Sequence, residues 1–358
     1  MTRVLSVDAA GGLWGSERAL LDMIKAARNL EIAVCCPPNT QLEAELRRRN
    51  VCTLPFFIGE LHRKSRWHRL LAALGVTKAC AAFRPDVIHL NQSGAFRTVL
   101  PAAFLMNLPI VCHVRIFEDV AYLARQAPSA HRLKSLIAIS AAIEAEIRQF
   151  DELTAIPAHR IYDAYIPITA AGDVVQPPGR FACVGRITPI KGQEVLIRAL
   201  ALASYFERGA EGLIIGDGEP GYLQQLQEIV STSGCVPVTW TGFVADVYAL
   251  LRTCQVLVCP SHREPLGRVI FEAWDAGVVP LVYSGAGGAA EIIRESAGGL
   301  TYDTQTPECL ATKLAEALRL SEAERLRLIS NGRLWMLNHC APEPFSRAIA
   351  AVLEDAAA

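Results

Sequence analysis

The chain has 358 residues, 51% of them hydrophobic and 20% charged, with a formal net charge of −1. These values exclude a disordered chain and a strongly basic nucleic-acid binder, and the length suits two domains of roughly 170–180 residues better than one core. No apolar run reaches the roughly 18–20 residues of a membrane span, and Asp8 arrives too early for a secretion signal, so a cytoplasmic protein is expected.

Residues 3–7 are predicted to form the first strand. Gly11 and Gly12 follow and open a helix over 16–29, with Ser16 as its N-cap. Strands at 31–36, 51–57, 86–90, 110–114 and 136–139 then alternate with helices at 40–49, 67–83, 96–106, 118–126 and 141–149. From Pro167 to Gly179 the sequence is rich in Pro and Gly and has no periodicity, which marks a linker. A second alternation places strands at 181–184, 212–216, 238–241, 256–259 and 280–283. A tail helix over about 343–356 follows the break at Pro342 and Pro344. Regular βα alternation implies α/β architecture with parallel sheets and helices on both faces. The expected division is 1–168, 169–341 and the tail helix 342–358.

The net charge hides an asymmetry. Residues 1–170 carry 20 Lys and Arg against 15 Asp and Glu, whereas residues 171–358 carry 15 against 21. The positive excess gathers at 47–69, where Arg47, Arg48, Arg49, Arg63, Lys64, Arg66 and Arg69 face one acid, Glu60, with Trp67, Phe56, Phe57, Leu70 and Leu71 among them. Such a patch suits an anionic membrane surface or a lipid-phosphate acceptor, and equally a solvated helix face. The 11 cysteines are odd in number and contain no Cys-x-x-Cys, so they are expected to be reduced and buried rather than paired or metal-bound.

Three segments of the second half carry chemistry. Gly185-Arg186-Ile187-Thr188-Pro189-Ile190-Lys191-Gly192 closes one strand and precedes a helix. Its Arg and Lys suit a diphosphate, one as a planar fork and the other as a point charge. Glu264-Pro265-Leu266-Gly267-Arg268 enters a helix that carries Glu272, with seven residues between the two carboxylates. The backbone N–H groups at the start of that helix attract phosphate, and the carboxylates accept hydroxyl protons from sugars and riboses. Gly287-Gly288-Ala289-Ala290-Glu291 enters a third helix. All three loops are expected at the carboxyl ends of parallel strands, where open α/β sheets bind ligands. Gly216-Asp217-Gly218-Glu219-Pro220-Gly221 also matches the dinucleotide spacing G-x-G-x-x-G. Its two acids would face the phosphates and Pro220 disturbs the turn, so NAD binding is not expected.

The order and spacing of Gly-Arg-x5-Gly with its Lys, Glu-x7-Glu and Gly-Gly-x-x-Glu resemble the signature of the retaining family 4 glycosyltransferases, of GT-B fold. The resemblance covers residues 181–293 and extends more weakly to both ends. It implies two Rossmann-like domains facing a cleft, with the C-terminal helix crossing back to the first. It further implies that Arg186 and Lys191 neutralise a departing diphosphate and that Glu272 takes ribose hydroxyls. Glu264 would position the donor sugar, while Leu266 and Gly267 offer backbone N–H groups. Gly12 would lie against the donor phosphate, Gly216 would border the donor cleft, and His113 would contact the sugar's 6-position. The usual His-Asp dipeptide is His113-Val114 here, and the family's Asn-Gly after the last strand of the first domain is missing.

No cofactor and no metal are expected, since Asp-x-Asp is missing and a nucleoside-diphosphate sugar, on UDP or GDP, is itself the substrate. The acceptor implied is a saccharide or a lipid-linked saccharide, by front-face attack with retention of configuration. An epimerase or hydrolase of the same fold, and a catalytically silent partner subunit, remain the alternatives.

Overall fold

Seven parallel strands make the first sheet of the computed structural model, which describes residues 1–56, 66–126, 131–168, 179–202, 210–234 and 236–358. In chain order its elements are β1 (Arg3–Val7), α1 (Gly15–Ala26), β2 (Glu31–Cys36), α2 (Gln41–Arg48), β3 (Cys52–Pro55), α3 (Arg66–Phe83), β4 (Val87–Leu90), α4 (Phe96–Leu105), β5 (Ile110–Val114), α5 (Phe117–Gln126), β6 (Leu133–Ala138), α6 (Ala141–Ile147) and β7 (Ala158–Arg160). The strand order is β3-β2-β1-β4-β5-β6-β7. The central strands β4 and β5 are buried throughout, as expected of parallel strands covered on both faces.

The second sheet has six parallel strands. It is built by β8 (Arg180–Val184), α7 (Gln193–Leu200), β9 (Glu211–Ile215), α8 (Pro220–Thr232), β10 (Val238–Trp240), α9 (Tyr248–Leu251), β11 (Val256–Cys259), α10 (Arg268–Ala276), β12 (Val279–Tyr283), α11 (Gly288–Ser296) and β13 (Leu300–Tyr302), followed by α12 (Pro307–Leu318), α13 (Glu322–His339) and α14 (Pro342–Ala357). The strand order is β10-β9-β8-β11-β12-β13. The chain divides into two compact units, Met1–Ile166 with His339–Ala358, and Pro167–Asn338.

The tail helix α14 belongs to the first unit. Its Phe345, Ile349, Val352 and Leu353 enter the same buried cluster as Leu20, Val34, Val87 and Val111. The Tyr165 N–H donates to the Cys340 carbonyl at 2.9 Å, and Ser346 Oγ lies 2.9 Å from Asn29 Oδ1. Two strands escape the sequence pattern, β7 and β13. Each has only three residues and lies at a sheet edge. The ten cysteines among the described residues are all free thiols.

The start of α1 differs from expectation. The helix begins at Gly15 with Trp14 as N-cap, so Ser16 lies inside the first turn. The reason is Glu17, whose carboxylate accepts the Trp14 N–H at 2.9 Å and the Ser16 hydroxyl at 2.8 Å. An acid at the third helical position reaching back to the cap satisfies the cap residue's own N–H.

Candidate active site

The three motif loops leave the carboxyl ends of β8, β11 and β12, which are neighbours in the second sheet. After β8 the chain makes a 3-10 turn at Pro189–Lys191, and Gly192, with φ +70°, leads into α7. After β11 the segment Pro260–Gly267 leads into α10, and after β12 Ser284–Gly287 leads into α11. The loops are fastened backbone to backbone. The His262 N–H donates to the Ile190 carbonyl at 2.8 Å and the Glu264 N–H to the Ala286 carbonyl at 2.5 Å. Only glycine permits this packing at two points. A Cβ on Gly192 would stand 2.0 Å from the Pro260 carbonyl oxygen, and one on Gly288 would stand 1.9 Å from that of Pro265.

This fastening brings opposite charges together. Lys191 Nζ lies 2.6 Å from Glu264 Oε2, and the Ser261 hydroxyl donates to the same oxygen at 3.0 Å. Glu264 is buried. Burial works against charge on Lys191, but the Glu264 carboxylate overrides it and holds the ammonium above its ordinary range. Arg186 is exposed on the same loop, where its carbonyl accepts a hydrogen bond from Gln193 Nε2 at 2.9 Å. Gly267, with φ +83°, is the N-cap of α10, which opens with no side-chain cap and no acid in its first turn. The backbone donors there carry the positive end of the helix dipole. Leu266 buries its side chain, so only its backbone is available to a ligand. Glu272 is half-buried on α10, five positions past the cap. Sequence reasoning missed Ser261, whose only signal is its place three residues before Glu264 at a strand end.

Gly216 ends β9. Its N–H donates to the Gly242 carbonyl at 2.9 Å, and Asp217 Oδ1 accepts the Phe243 N–H at 2.9 Å. The Ile187 N–H donates to the Asp217 carbonyl at 2.8 Å, which ties this glycine run to the Arg186 loop. Asp217 thus serves a loop-to-loop contact, and Pro220 starts α8 behind Glu219.

In the first unit, Gly12 lies between β1 and α1, beside Trp14; a Cβ there would stand 2.7 Å from the indole Cδ1. Below it is a buried polar network. Asp8 accepts from Asn91 Nδ2 at 2.7 Å, and Arg115 pairs with Asp163 at 2.5 Å while its Nε donates to the Asn91 carbonyl at 2.9 Å. His113 is wholly buried. Its Nδ1 lies 2.6 Å from His89 Nε2, and His89 Nδ1 lies 2.9 Å from Ser6 Oγ. Burial lowers the pKa of both imidazoles, to about 3 for His89, so both are neutral. His113 Nε2 has no hydrogen-bond partner. His89 therefore belongs to a chain of buried polar groups that ends on the expected sugar-contacting histidine.

The basic run at 47–69 divides in two. Arg47 pairs with Glu43, and Arg48 and Arg49 both pair with Glu45, so the first half is neutralised within its own helix. Arg63 and Lys64 lie outside the described residues, and the side chain of Arg66 is likewise not described. Arg69 is exposed on α3. Among the described residues no His, Cys, Asp and Glu side chains gather in threes as a metal would require, and no helix is long and apolar enough to cross a membrane.

Residues 172–335 match the family described as Glycosyl transferases group 1, and residues 15–164 match Glycosyltransferase Family 4. The chain belongs to the family 4 glycosyltransferases. Its fold is GT-B. A solved structure of Anabaena HepE in complex with UDP and glucose superposes with a TM-score of 0.82 at 21% identity, covering 99% of this chain and 100% of that one. Among curated relatives of this chain, a GDP-mannose-dependent phosphatidylinositol monomannoside mannosyltransferase of Mycobacterium tuberculosis is 31% identical over 166 residues, 43% of this chain and 42% of that protein. The lipopolysaccharide core biosynthesis glycosyltransferase LpsD of Rhizobium meliloti is 31% identical over 169 residues, 46% and 47% of the two chains. The chain thus spans less than half the length of these curated relatives.

Proposed function

We propose that this chain is a retaining, metal-independent glycosyltransferase that moves a sugar from a nucleoside-diphosphate donor to a saccharide or lipid-linked acceptor. The observation that carries the reading is the meeting of Lys191 with Glu264, which leads to the uncapped N-terminus of α10, on two loops fastened to each other and, through Ala286, to a third. Cation and helix end suit a diphosphate, and a buried carboxylate beside them suits sugar hydroxyls. Arg186 and Lys191 would neutralise the leaving diphosphate, which is the charge a metal supplies in other transferases. Glu272 would accept ribose hydroxyls, and Glu264 would hold the sugar. Gly12 and Gly216 would border the donor. His113 Nε2, a buried polar atom without a partner, is the kind of group a sugar hydroxyl satisfies. The ring is covered, so the contact requires its cover to move.

The acceptor hydroxyl would attack on the face the diphosphate leaves, passing its proton to the leaving phosphate, while the charged loops stabilise an oxocarbenium-like state. UDP in the Anabaena structure and GDP-mannose in the mycobacterial relative's name support a nucleoside diphosphate as carrier. A thermal-shift panel of nucleoside diphosphates tests this. A ligand at 100 times its Kd adds about 2.7 kcal/mol of apparent stability. Failure of every nucleoside diphosphate to shift the transition refutes the reading. Donor consumption that depends on an added acceptor separates transferase from hydrolase or epimerase.

A second reading concerns location. Trp67, Leu70, Leu71 and Leu74 lie on one face of α3 and are 74%, 50%, 58% and 48% exposed, while Ala72, Val76 and Cys80 on the other face are buried. An apolar stripe left in water beside Arg69 supports peripheral docking on an anionic membrane at the cytoplasmic face.

A further inference from the structure

A cavity of about 470 Å³ opens in the first unit, at the carboxyl ends of β4 and β5. Its size falls in the range of small-molecule sites, and strand ends of an open parallel sheet are where such sites form. Three arginines line it: Arg69 from α3, Arg97 from α4 and Arg125 from α5. Among the described residues none of the three forms an ion pair, whereas Arg3, Arg47, Arg48, Arg49, Arg148, Arg180 and Arg198 each have a carboxylate. A concave surface with an excess of positive charge suits an anion.

Two acids also line the cavity, Glu118 and Asp119. Asp119 is spent. Its Oδ1 accepts from Ser93 Oγ, and its Oδ2 accepts the Arg115 and Ile116 N–H groups at 3.1 and 3.3 Å. With both carboxylates counted, the three guanidinium groups leave the lining a surplus of one positive charge. Arg97 is oriented by its Nε, which donates to Gln126 Oε1 at 2.6 Å and leaves its terminal N–H groups for a ligand. The cavity also abuts the start of α4, a ten-residue helix with no side-chain cap and no acid in its first turn.

We propose that this cavity is an acceptor subsite for a phosphate group, so that the acceptor is a phosphorylated molecule held by Arg69, Arg97 and Arg125. The inference rests on the transferase reading for the word acceptor, while binding of the phosphate stands by itself. Guanidinium forks match phosphate oxygens in pairs, and three of them tolerate a mono- or diester. The phosphate can belong to a lipid headgroup or to a soluble ester.

Calorimetric titration tests it, with the full chain held both free of nucleotide and saturated with the nucleoside diphosphate that shifts it most. The probes are inorganic phosphate, dihexanoyl phosphatidic acid below its micelle concentration, and dihexanoylglycerol as the phosphate-free partner. Phosphate-bearing probes are expected to bind with nucleotide present, and dihexanoylglycerol is not. R97Q and R125Q should each weaken binding by about ten- to a hundredfold. E118Q should strengthen it severalfold, an effect that a merely structural role would not produce. Nucleotide binding should persist in all three variants. Phosphatidic acid binding at least tenfold tighter than inorganic phosphate assigns the group to a lipid; equal affinity assigns it to a soluble ester. Phosphate binding that is absent, or indifferent to R97Q, R125Q and E118Q in folded protein, overturns the proposal. Loss of all nucleotide binding in the wild type would instead strike the transferase reading.

Discussion

Lys191 and Glu264 stand 73 positions apart in the sequence, yet their side chains meet at 2.6 Å. Each meets a need of the other: the ammonium is held charged and the buried carboxylate is paired. On the proposed reading, a diphosphate entering beside Lys191 would compete for that ammonium, and a sugar hydroxyl would replace part of what Glu264 gives up. Lys191→Ala is therefore expected to lower kcat/KM by roughly 30- to 1,000-fold, or about 2–4 kcal/mol, in a folded protein. With Glu264→Gln in a double-mutant cycle, the pair should show a coupling of about 0.5–3 kcal/mol. Additive losses would mean that the two act separately.

Gly288→Ala should injure the site without touching a charged group. The new methyl would meet the Pro265 carbonyl and push the 265–267 segment off its seat. Nucleotide affinity is expected to fall by at least about tenfold, with a lower melting temperature for the second unit. Unchanged affinity in this variant would show that the fastening of the loops does not set the donor geometry.

On the proposed reading transfer should continue in excess EDTA, because Arg186, Lys191 and the α10 N-terminus would be the counter-charges of the leaving diphosphate. The measurement is the turnover rate after chelation, with and without added Mg²⁺ or Mn²⁺. Restoration only by the metal would end the metal-independent scheme.

The two buried histidines give a signed pH effect. Burial holds His89 down to about 3, and burial, then Arg115 and His89, hold His113 well below its ordinary value. In the unfolded chain both titrate near about 6.5. Below that pH the unfolded state takes up protons that the folded state refuses, so stability falls as pH drops from about 6.5 towards 3. Each histidine contributes a slope of up to about 1.4 kcal/mol per pH unit. Asp8 and Asp119, pushed up by burial, tilt the curve the opposite way above their unfolded values. A comparison with His89→Gln isolates one group. Between pH 6 and 4 the variant's stability should change less steeply than the wild type's, by about 1 kcal/mol per unit. Parallel curves would show that His89 is not held neutral.

Replacing Trp67, Leu70, Leu71 and Leu74 with Ser should release the protein from anionic vesicles while leaving nucleotide binding intact. Co-sedimentation at two salt concentrations reads this, since attraction to the lipid charge weakens with salt. A wild type that never pellets with such vesicles leaves α3 as an ordinary soluble helix.

Much of this was legible in the sequence. The strand and helix alternation follows from continuous apolar runs and Pro breaks, and the three loops follow from glycine spacing, whereas the return of the tail helix was implied only by the family resemblance. What stayed hidden depends on register between distant strands. Ser6 and His89 are register partners across β1 and β4, and nothing local to either announces the other. Ser261, the Lys191–Glu264 pair and the arginine cavity are likewise assembled by strand order. The strands β7 and β13 are three-residue edge strands and were not predicted, although β10, equally short and at an edge, was.

The helix α14 has a consequence for synthesis. The first unit needs Phe345, Ile349 and Leu353 in its interior, and these emerge from the ribosome only after the whole second unit. Residues 167–338 can fold as a block while the earlier-made segment still waits for its last helix. The order of completion is thus inverted: the half of the protein that is translated first finishes last, with the apolar seat for α14 uncovered in the interval.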